Sequence, residues 1–311
     1  MIRLAFLALA AISAPVIAQT PAPAPAPAPA MPPLLTWPDL TKRAKPTPDA
    51  TIDYGTDQMQ KVDVWLPTGT AHGKGRFPVV VMVHGGCWTT SIADRSLMNW
   101  VADDLRKDGI VVWNIDYRGV DRAGGGYPGT FTDAAKATDA LSANAARFNL
   151  DTRRIVAVGH SAGGHLALWL AARAKLPFNS PLYTRAPLLI DHVISLGGLP
   201  DLEATAATPA NGCGTEVVAK LVGPPTPPRA DVYTDTSIPR LLPLGMPQDL
   251  VNGREDRIIP FPFAIDYVAR ANAAGDTAVL HTIPATGHVE LVAPETAAWA
   301  EAKRLIAAAL K

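Results

Sequence analysis

Apolar residues are distributed along the chain in two patterns: short runs, and longer stretches in which they return every three or four positions. The short runs are predicted to be strands, since apolar runs of about four to eight residues suit strands buried on both faces. The longer stretches have helical spacing. The predicted strands are 62–66, 77–83, 109–115, 154–159, 191–196, 247–252 and 278–283, and the predicted helices are 97–106, 131–148, 162–174, 261–273 and 296–310.

Strands that alternate with helices predict an α/β fold with a mostly parallel central sheet and helices on both faces. No linker-like composition divides residues 60–311, so we predict a single domain at 34–311. The exception is 197–245, a stretch of about fifty residues that is rich in Pro and Ala and weak in periodicity. Loops of that length are uncommon in compact domains and usually functional. We therefore expect a loop or cap-like insertion that lies over the end of the sheet.

The beginning of the chain has the pattern of an export signal. Residues 1–18 place a cation, Arg3, before an apolar run from Leu4 to Ile12 and end on small residues, which predicts a signal peptide cleaved before Gln19. The apolar run is shorter than the ~20 residues that cross a bilayer, so no stable membrane anchor is expected after cleavage. Residues 19–33 alternate Pro with Ala and predict an extended linker. We expect a secreted or periplasmic protein.

Composition narrows the classes of function. Lys and Arg together number 28, as do Asp and Glu, so the formal net charge is zero. A balanced chain lacks the basic patches that bind nucleic acids, and we predict no nucleic-acid partner. Apolar residues make up 48% and charged residues only 18%, which leaves enough apolar surface for a large core.

The first candidate for chemistry lies where the strand at 154–159 ends. Gly159-His160-Ser161-Ala162-Gly163 follows it, with a helix behind, which is G-x-S-x-G in the strand–turn–helix context that gives this motif meaning. The turn is so tight that side chains two residues before and two after the serine would clash, which accounts for Gly159 and Gly163. Ser161 is the predicted nucleophile.

A serine hydroxyl needs an adjacent base whose orientation a third group fixes. His288 lies between the last predicted strand and the last predicted helix, and Asp256 follows the strand before. The chain order Ser161, Asp256, His288 is that of nucleophile, acid and base in α/β-hydrolases. These three residues are the predicted catalytic set.

With these residues in place, the chain resembles the α/β-hydrolase fold over roughly 60–311. It is similar to secreted bacterial esterases and lipases and to kynurenine formamidases. Gly253-x-x-Asp256-x-x-Ile259-Pro260 matches the usual acid loop of that family. The resemblance therefore implies that Asp256, and not its neighbour Glu255, is the acid.

A second match is His84-Gly85-Gly86-Cys87-Trp88, which follows the strand at 77–83 and resembles the family's H-G-G-x-W loop. Acyl transfer passes through an oxyanion that fixed backbone N–H groups stabilise. The resemblance implies the amides of Gly86, Cys87 and Ala162 as donors, although many related enzymes carry a third glycine where this chain has Cys87.

The two cysteines, Cys87 and Cys213, leave two alternatives open. In an oxidising compartment they could form a disulfide, which would hold the 197–245 segment against the loop at Cys87. The other alternative is a pair of small buried thiols.

No cofactor or metal is predicted. His160 and His165 are five positions apart without a carboxylate at metal-ligand spacing, so we interpret both as structural. The sequence as a whole predicts an exported serine hydrolase that cleaves small-molecule carboxylic esters through an acyl-enzyme. An arylformamidase or small amide or peptide hydrolase would share the same residues, and a non-catalytic binding protein would share the fold.

Overall fold

Eight strands form one sheet in the order β1-β2-β4-β3-β5-β6-β7-β8 in the computed structural model, which describes residues 33–68 and 75–311. The predicted signal peptide (1–18) and all of the predicted linker (19–33) except Pro33 lie outside these residues. The strands are β1 (Ala50–Asp53), β2 (Lys61–Trp65), β3 (Phe77–Val83), β4 (Val111–Ile115), β5 (Leu150–His160), β6 (His192–Leu196), β7 (Gln248–Gly253) and β8 (Ala278–Ile283).

The strands from β3 onward are parallel, and β1 and β2 extend one edge of the sheet in antiparallel pairing. This confirms the predicted α/β fold with a mostly parallel sheet. The prediction missed β1, a four-residue edge strand in which every residue keeps some exposure. An edge strand that is not buried on both faces lacks the apolar run by which the buried parallel strands were found.

Eight α-helices surround the sheet within the described residues. Their boundaries agree with the predicted helices to within a few residues, except that three short helices, α1, α5 and α6, were not predicted. The helices are α1 (Trp37–Thr41), α2 (Asn99–Arg106), α3 (Gly129–Asn144), α4 (Ala162–Ala172), α5 (Leu202–Ala207), α6 (Thr215–Val222), α7 (Pro262–Ala273) and α8 (Ala297–Ala309).

The core consists of two apolar layers, one on each face of the sheet. Strand side chains alternate between them: Val79 and Val81 of β3 belong to one layer, and Val80 and Met82 belong to the other. The first layer includes buried residues of α3, α4 and α7, whereas the second includes buried residues of α1, α2 and α8. None of the helices in the described part of the chain combines the length and apolarity that a membrane span requires.

The segment 197–245 contains α5 and α6 and packs against the outside of α4. The indole N–H of Trp169 donates to the carbonyl of Asp235 at 2.9 Å, and His165 Nε2 donates to the carbonyl of Thr236 at 2.7 Å. Every residue of α4 is buried, because the sheet covers one side and this segment the other. The apolar residues of the segment thus join the first core layer, and its Gly212 reaches the cavity described below.

Candidate active site

Ser161 stands in a strained turn between β5 and α4. Its backbone has φ 55° and ψ −123°, a conformation that non-glycine residues rarely adopt and that marks functional turns. A Cβ atom on Gly159 would lie 1.9 Å from the carbonyl oxygen of Gly163, and one on Gly163 would lie 2.2 Å from the carbonyl oxygen of Val83. The chain therefore makes this turn only because both flanking positions are glycine, as the sequence predicted.

Asp256 and His288 are hydrogen-bonded, with 2.7 Å between His288 Nδ1 and Asp256 Oδ2. Asp256 Oδ1 accepts the backbone N–H groups of Ile258 and Ile259, at 2.8 and 3.0 Å, so the carboxylate is held from both sides. Because a carboxylate only accepts, Nδ1 of His288 carries a proton, and in the neutral imidazole Nε2 then keeps its lone pair. The imidazole is thus in the tautomer that a general base requires.

The neighbouring carboxylate, Glu255, has a different partner. Its Oε2 accepts the backbone N–H of Thr286 at 3.1 Å. The structure therefore brings Asp256 to His288 and turns Glu255 to the backbone.

Ser161 and His288 line the same cavity, which has a volume of about 420 Å³. Among the hydrogen bonds of the described residues, none joins the Ser161 hydroxyl to His288. Catalytic hydrogen bonds are often long or misaligned before substrate binds and shorten in the complex. The structure thus places the predicted nucleophile and the predicted base in one compartment, with His288 oriented by its hydrogen bond to Asp256.

The loop that contains the predicted oxyanion donors has an unusual backbone. Gly86, Cys87 and Trp88 have φ of 99°, 50° and 51°, three successive left-handed residues of which two are not glycine. Gly86 and Cys87 line the cavity with Ser161, and Ala162 is the first residue of α4, where helical amides have no partner within the helix. In the described loops and turns, none of these three amides donates to a backbone carbonyl.

A buried ionic network that the sequence did not predict supports this loop. His84 Nε2 lies 3.0 Å from Asp116 Oδ1, and its Nδ1 lies 2.7 Å from the carbonyl of Gly85. Arg95 pairs with Asp116 Oδ2 at 2.9 Å. The ring of Tyr117 stacks on His84 with centroids 4.4 Å apart. These contacts fix His84, and through it the start of the glycine loop.

His160 packs directly against the predicted base. The two imidazole centroids are 4.4 Å apart, and His160 Nε2 donates to the backbone carbonyl of His288 at 3.1 Å. Complete burial, reinforced by the neighbouring His288, holds the pKa of His160 well below its ordinary value, so this ring is neutral near pH 7. Burial likewise lowers the pKa of His165 to about 4. Both histidines have the carbonyl partners expected of structural residues.

The two cysteines form a disulfide, Cys87–Cys213, with Cα atoms 5.3 Å apart. It joins the glycine loop to the 197–245 segment at the point where Gly212 lines the cavity. Of the two alternatives that the sequence left open, the structure contains the bonded one.

The remaining walls of the cavity are mostly apolar. The residues that supply them are Trp37, Ile92, Ala93, Leu97 and Ile258, with Thr41 at the margin. Trp37 and Thr41 belong to α1, a helix that the sequence did not predict. Within the described residues, no group of three or more His, Cys, Asp or Glu side chains is arranged to hold a metal ion.

Comparison with known proteins adds a family match. The model of the BD-FAE family matches residues 62–266, a range that includes Ser161 and Asp256 and ends before His288. Isoprenylcysteine alpha-carbonyl methylesterase of Arabidopsis thaliana is 32% identical over 117 residues, which are 38% of this chain and 26% of that protein. Versiconal hemiacetal acetate esterase of Dothistroma septosporum is 33% identical over 104 residues, 33% of this chain and 30% of that protein. The chain thus matches less than a third of the length of either curated relative.

Solved structures share the fold. A truncated carbohydrate esterase from gut microbiota superimposes with a TM-score of 0.69 at 20% identity, over 86% of this chain and 98% of that one. A bacterial heroin esterase gives a TM-score of 0.64 at 23% identity, over 81% of this chain and 80% of that one. The α/β-hydrolase fold predicted from the motifs is confirmed.

Proposed function

The chain belongs to the BD-FAE family, and from that premise we propose that it is an exported serine esterase. The observation that carries the proposal is the arrangement at one cavity: Ser161 in its strained turn, and His288 held by Asp256 with the Nε2 lone pair free. A serine, a histidine and a carboxylate in these roles are the parts that acyl transfer needs.

The first half-reaction transfers the acyl group of the ester to Ser161. As Ser161 Oγ attacks the ester carbonyl, His288 Nε2 takes its proton, and the carbonyl oxygen becomes an oxyanion. The amides of Gly86, Cys87 and Ala162 are the proposed donors to that oxyanion, and one such donor contributes ~3 kcal/mol of transition-state stabilisation. His288 then gives the proton to the departing alcohol, which leaves the acyl group on Ser161.

Water completes the cycle by the same route. His288 removes a proton from the water as it attacks the acyl carbonyl. It then returns this proton to Ser161 as the carboxylic acid is released. Throughout, Asp256 keeps the imidazole in one tautomer and stabilises its charged form. All of these steps use side chains and amides of this chain.

The proposed substrate class is a carboxylic ester with an apolar group next to the scissile bond, since the cavity at Ser161 is walled by apolar side chains. The curated relatives are named for methyl and acetate esters, and this supports an ester over a formamide as the substrate. The 420 Å³ volume accommodates a small-molecule ester.

A fluorophosphonate probe tests the nucleophile. We expect the protein to be labelled covalently and to release p-nitrophenol from p-nitrophenyl acetate with a burst, whereas Ser161→Ala should do neither. Undiminished labelling of Ser161→Ala would place the nucleophile elsewhere. A folded wild-type protein with neither labelling nor burst would indicate a binding protein on a hydrolase fold.

Export is the second part of the proposal. It is supported by the signal-like sequence of residues 1–18 and by the Cys87–Cys213 disulfide, a bond typical of oxidising compartments. N-terminal sequencing of the mature protein from its own host should find Gln19 first. A mature chain that begins at Met1 and is recovered from the cytosol would contradict export.

A further inference from the structure

The first residues that the structure describes lie against the cavity of Ser161 and His288. We call residues 34–41 the strap; it consists of a short extended stretch and α1 (Trp37–Thr41). The sequence of the strap contains none of the predicted motifs. Its side chains nevertheless lie beside His288, which raises the question of what the strap contributes to the site.

Trp37 is the residue of the strap whose ring lies against the rings of His160 and His288. Its ring meets the ring of His160 edge-on with centroids 6.0 Å apart, and that of His288 with centroids 6.3 Å apart. It lines the cavity together with Ser161. Trp37 is only partly buried and packs against the second core layer, so it is a wall of the cavity and not a member of the core interior.

A second cavity, of about 350 Å³, also borders the strap. Leu34, Leu35 and Thr36 line it, and it shares His288 and Ile258 with the cavity of Ser161. The strap therefore borders two compartments that share His288: its residues 34–36 line one, and Trp37 and Thr41 line the other. A shift of the strap would change the space on both sides of the base.

Glu290 ties the strap to the loop that contains the base. This carboxylate is buried, and it accepts the backbone N–H of Leu35 through one oxygen and that of Gly287 through the other, the latter at 3.0 Å. Gly287 directly precedes His288 in the chain. One side chain thus holds both the strap and the base loop.

Further contacts hold the strap, at α1 and just after it in the chain. Arg43 pairs with Glu295, with 2.7 Å between Nη1 and Oε2. Thr36 and Asp39 form a capping box at the start of α1. These contacts give a five-residue helix, too short to be stable alone, a defined position.

We propose that Trp37 determines the size of the acyl group and that Glu290 positions Trp37 against His288. This inference rests on the proposed esterase function. Because the acyl group remains bonded to Ser161 in the acyl-enzyme, the walls of the cavity that Ser161 lines contact it in both half-reactions. The indole is the largest of the side chains in that wall, and it sets the distance between the wall and the bound acyl group.

The test is the ratio of kcat/KM for p-nitrophenyl octanoate to that for the acetate. We expect Trp37→Ala to raise this ratio at least about tenfold, since each added methylene is worth about tenfold or more where a pocket accepts it. Trp37→Phe should give an intermediate ratio and guards against a folding defect in the alanine variant. An active, folded Trp37→Ala with the wild-type ratio would overturn the proposal.

Phe178→Ala is the matched aromatic truncation. Its side chain is 85% exposed and lines neither compartment, so its ratio should stay at the wild-type value. A change in this control as large as that in Trp37→Ala would show that the ratio reports general loosening of the protein, and would overturn the role of Trp37.

Glu290→Gln tests the positioning step. A side-chain amide has one acceptor oxygen, so the amide of Leu35 or that of Gly287 loses its acceptor. We expect the selectivity ratio to move in the direction of Trp37→Ala, and the double variant to show less than the product of the two effects. Glu255→Gln is the control, because Glu255 also accepts a backbone N–H of the base loop but none from the strap. Full multiplicativity would overturn the role of Glu290.

A binding measurement separates this inference from the proposed function. Calorimetric titration of Ser161→Ala with the same two esters gives dissociation constants without turnover. In Ser161→Ala/Trp37→Ala, the affinity for the octanoate relative to the acetate should rise. A wild-type protein that hydrolyses no ester would refute the esterase function. An unchanged relative affinity would refute the role of Trp37.

Discussion

Two carboxylate–histidine groups lie at opposite ends of β7. At its amino end, Asp249 accepts His192 Nε2 at 2.7 Å and His281 Nε2 at 2.6 Å. Beyond its carboxyl end, Asp256 pairs with His288 at 2.7 Å. The pair distances are nearly the same, so the hydrogen bond between carboxylate and imidazole does not by itself distinguish a catalytic pair from a structural one.

The two groups differ in the partners of the second carboxylate oxygen and of the second imidazole nitrogen. At the amino end both carboxylate oxygens bind histidines, and Nδ1 of His281 is occupied by Glu301 at 3.0 Å. At the carboxyl end backbone amides fill the second oxygen of Asp256, and Nε2 of His288 is left for the cavity that Ser161 lines. An imidazole acts as a base only where one nitrogen keeps its lone pair beside a nucleophile.

Exposure differs as well. The side chains of His288 and Asp256 are 4% and 1% exposed, whereas those of His192 and Asp249 are 17% and 11% exposed. Burial works to raise the pKa of Asp249, but the hydrogen bonds from the two histidines outweigh it and hold this pKa below its usual value. Folding therefore favours the charged form of Asp249, and its hydrogen bonds with the two histidines contribute to stability.

Replacing each of the two carboxylates by asparagine should give the largest difference between the two groups. Asp256→Asn retains an acceptor oxygen for the amides of Ile258 and Ile259 and turns an amide donor toward His288 Nδ1, which favours the wrong tautomer of His288. We therefore expect kcat for p-nitrophenyl acetate to fall by about 10⁴-fold. Asp249→Asn, the matched substitution at the amino end of β7, should leave kcat within about twofold, since it touches no group at the cavity. If kcat fell by a similar factor in both variants, the two carboxylates would not differ in their role in the reaction.

The Cys87–Cys213 disulfide lies in the glycine loop after β3, and we expect it to stabilise the folded protein. It fastens the carboxyl-end glycine loop, and it closes a loop of 126 residues. Replacing both Cys87 and Cys213 by serine should lower the free energy of unfolding by about 5 kcal/mol, because the unfolded chain regains the entropy of the open loop.

Urea denaturation of the serine variant without reductant measures this change. Reduced wild-type protein should unfold at the same urea concentration as the variant. If the variant kept the wild-type midpoint, the disulfide would have no stabilising role.

The smallest expected effect is the change in the free energy of unfolding caused by Asp249→Asn, which should depend on pH. A carboxylate whose pKa is lowered by folding contributes stability that is fully present above its unfolded value of 3.8 and is lost as the pH falls through its folded value. Asp249→Asn should therefore cost about 1 kcal/mol at pH 7 and progressively less below about pH 4. Urea denaturation at pH 7 and at pH 3 measures both values. A cost that grew toward pH 3 would have the wrong sign.

Much of the sheet and the proposed catalytic set could be predicted because the signals are local. Buried parallel strands such as β3 and β4 are continuous apolar runs, and the glycines around Ser161 are required by the geometry of the turn itself. The acid required a comparison with family motifs, since both Glu255 and Asp256 follow β7. Only the fold showed which carboxylate turns toward His288.

The features that were missed depend on contacts between distant parts of the chain. Trp37 lies in a five-residue helix without a repeated apolar spacing, and its neighbour His288 is some 250 positions away. The pairing of His84 with Asp116 joins the ends of two adjacent strands. Neither leaves a periodic pattern in the sequence, because a single tertiary contact imposes none.

The position of the strap has a practical consequence for recombinant work. A protein trimmed to begin at Ala50 would keep all eight strands and nearly all of both apolar layers, losing only Leu40 from their buried residues. Because its buried core would be nearly complete, folding alone would not reveal the loss. It would nevertheless lack the wall that Trp37 gives to the cavity of Ser161, and tests of the proposed activity on it would not describe the full chain.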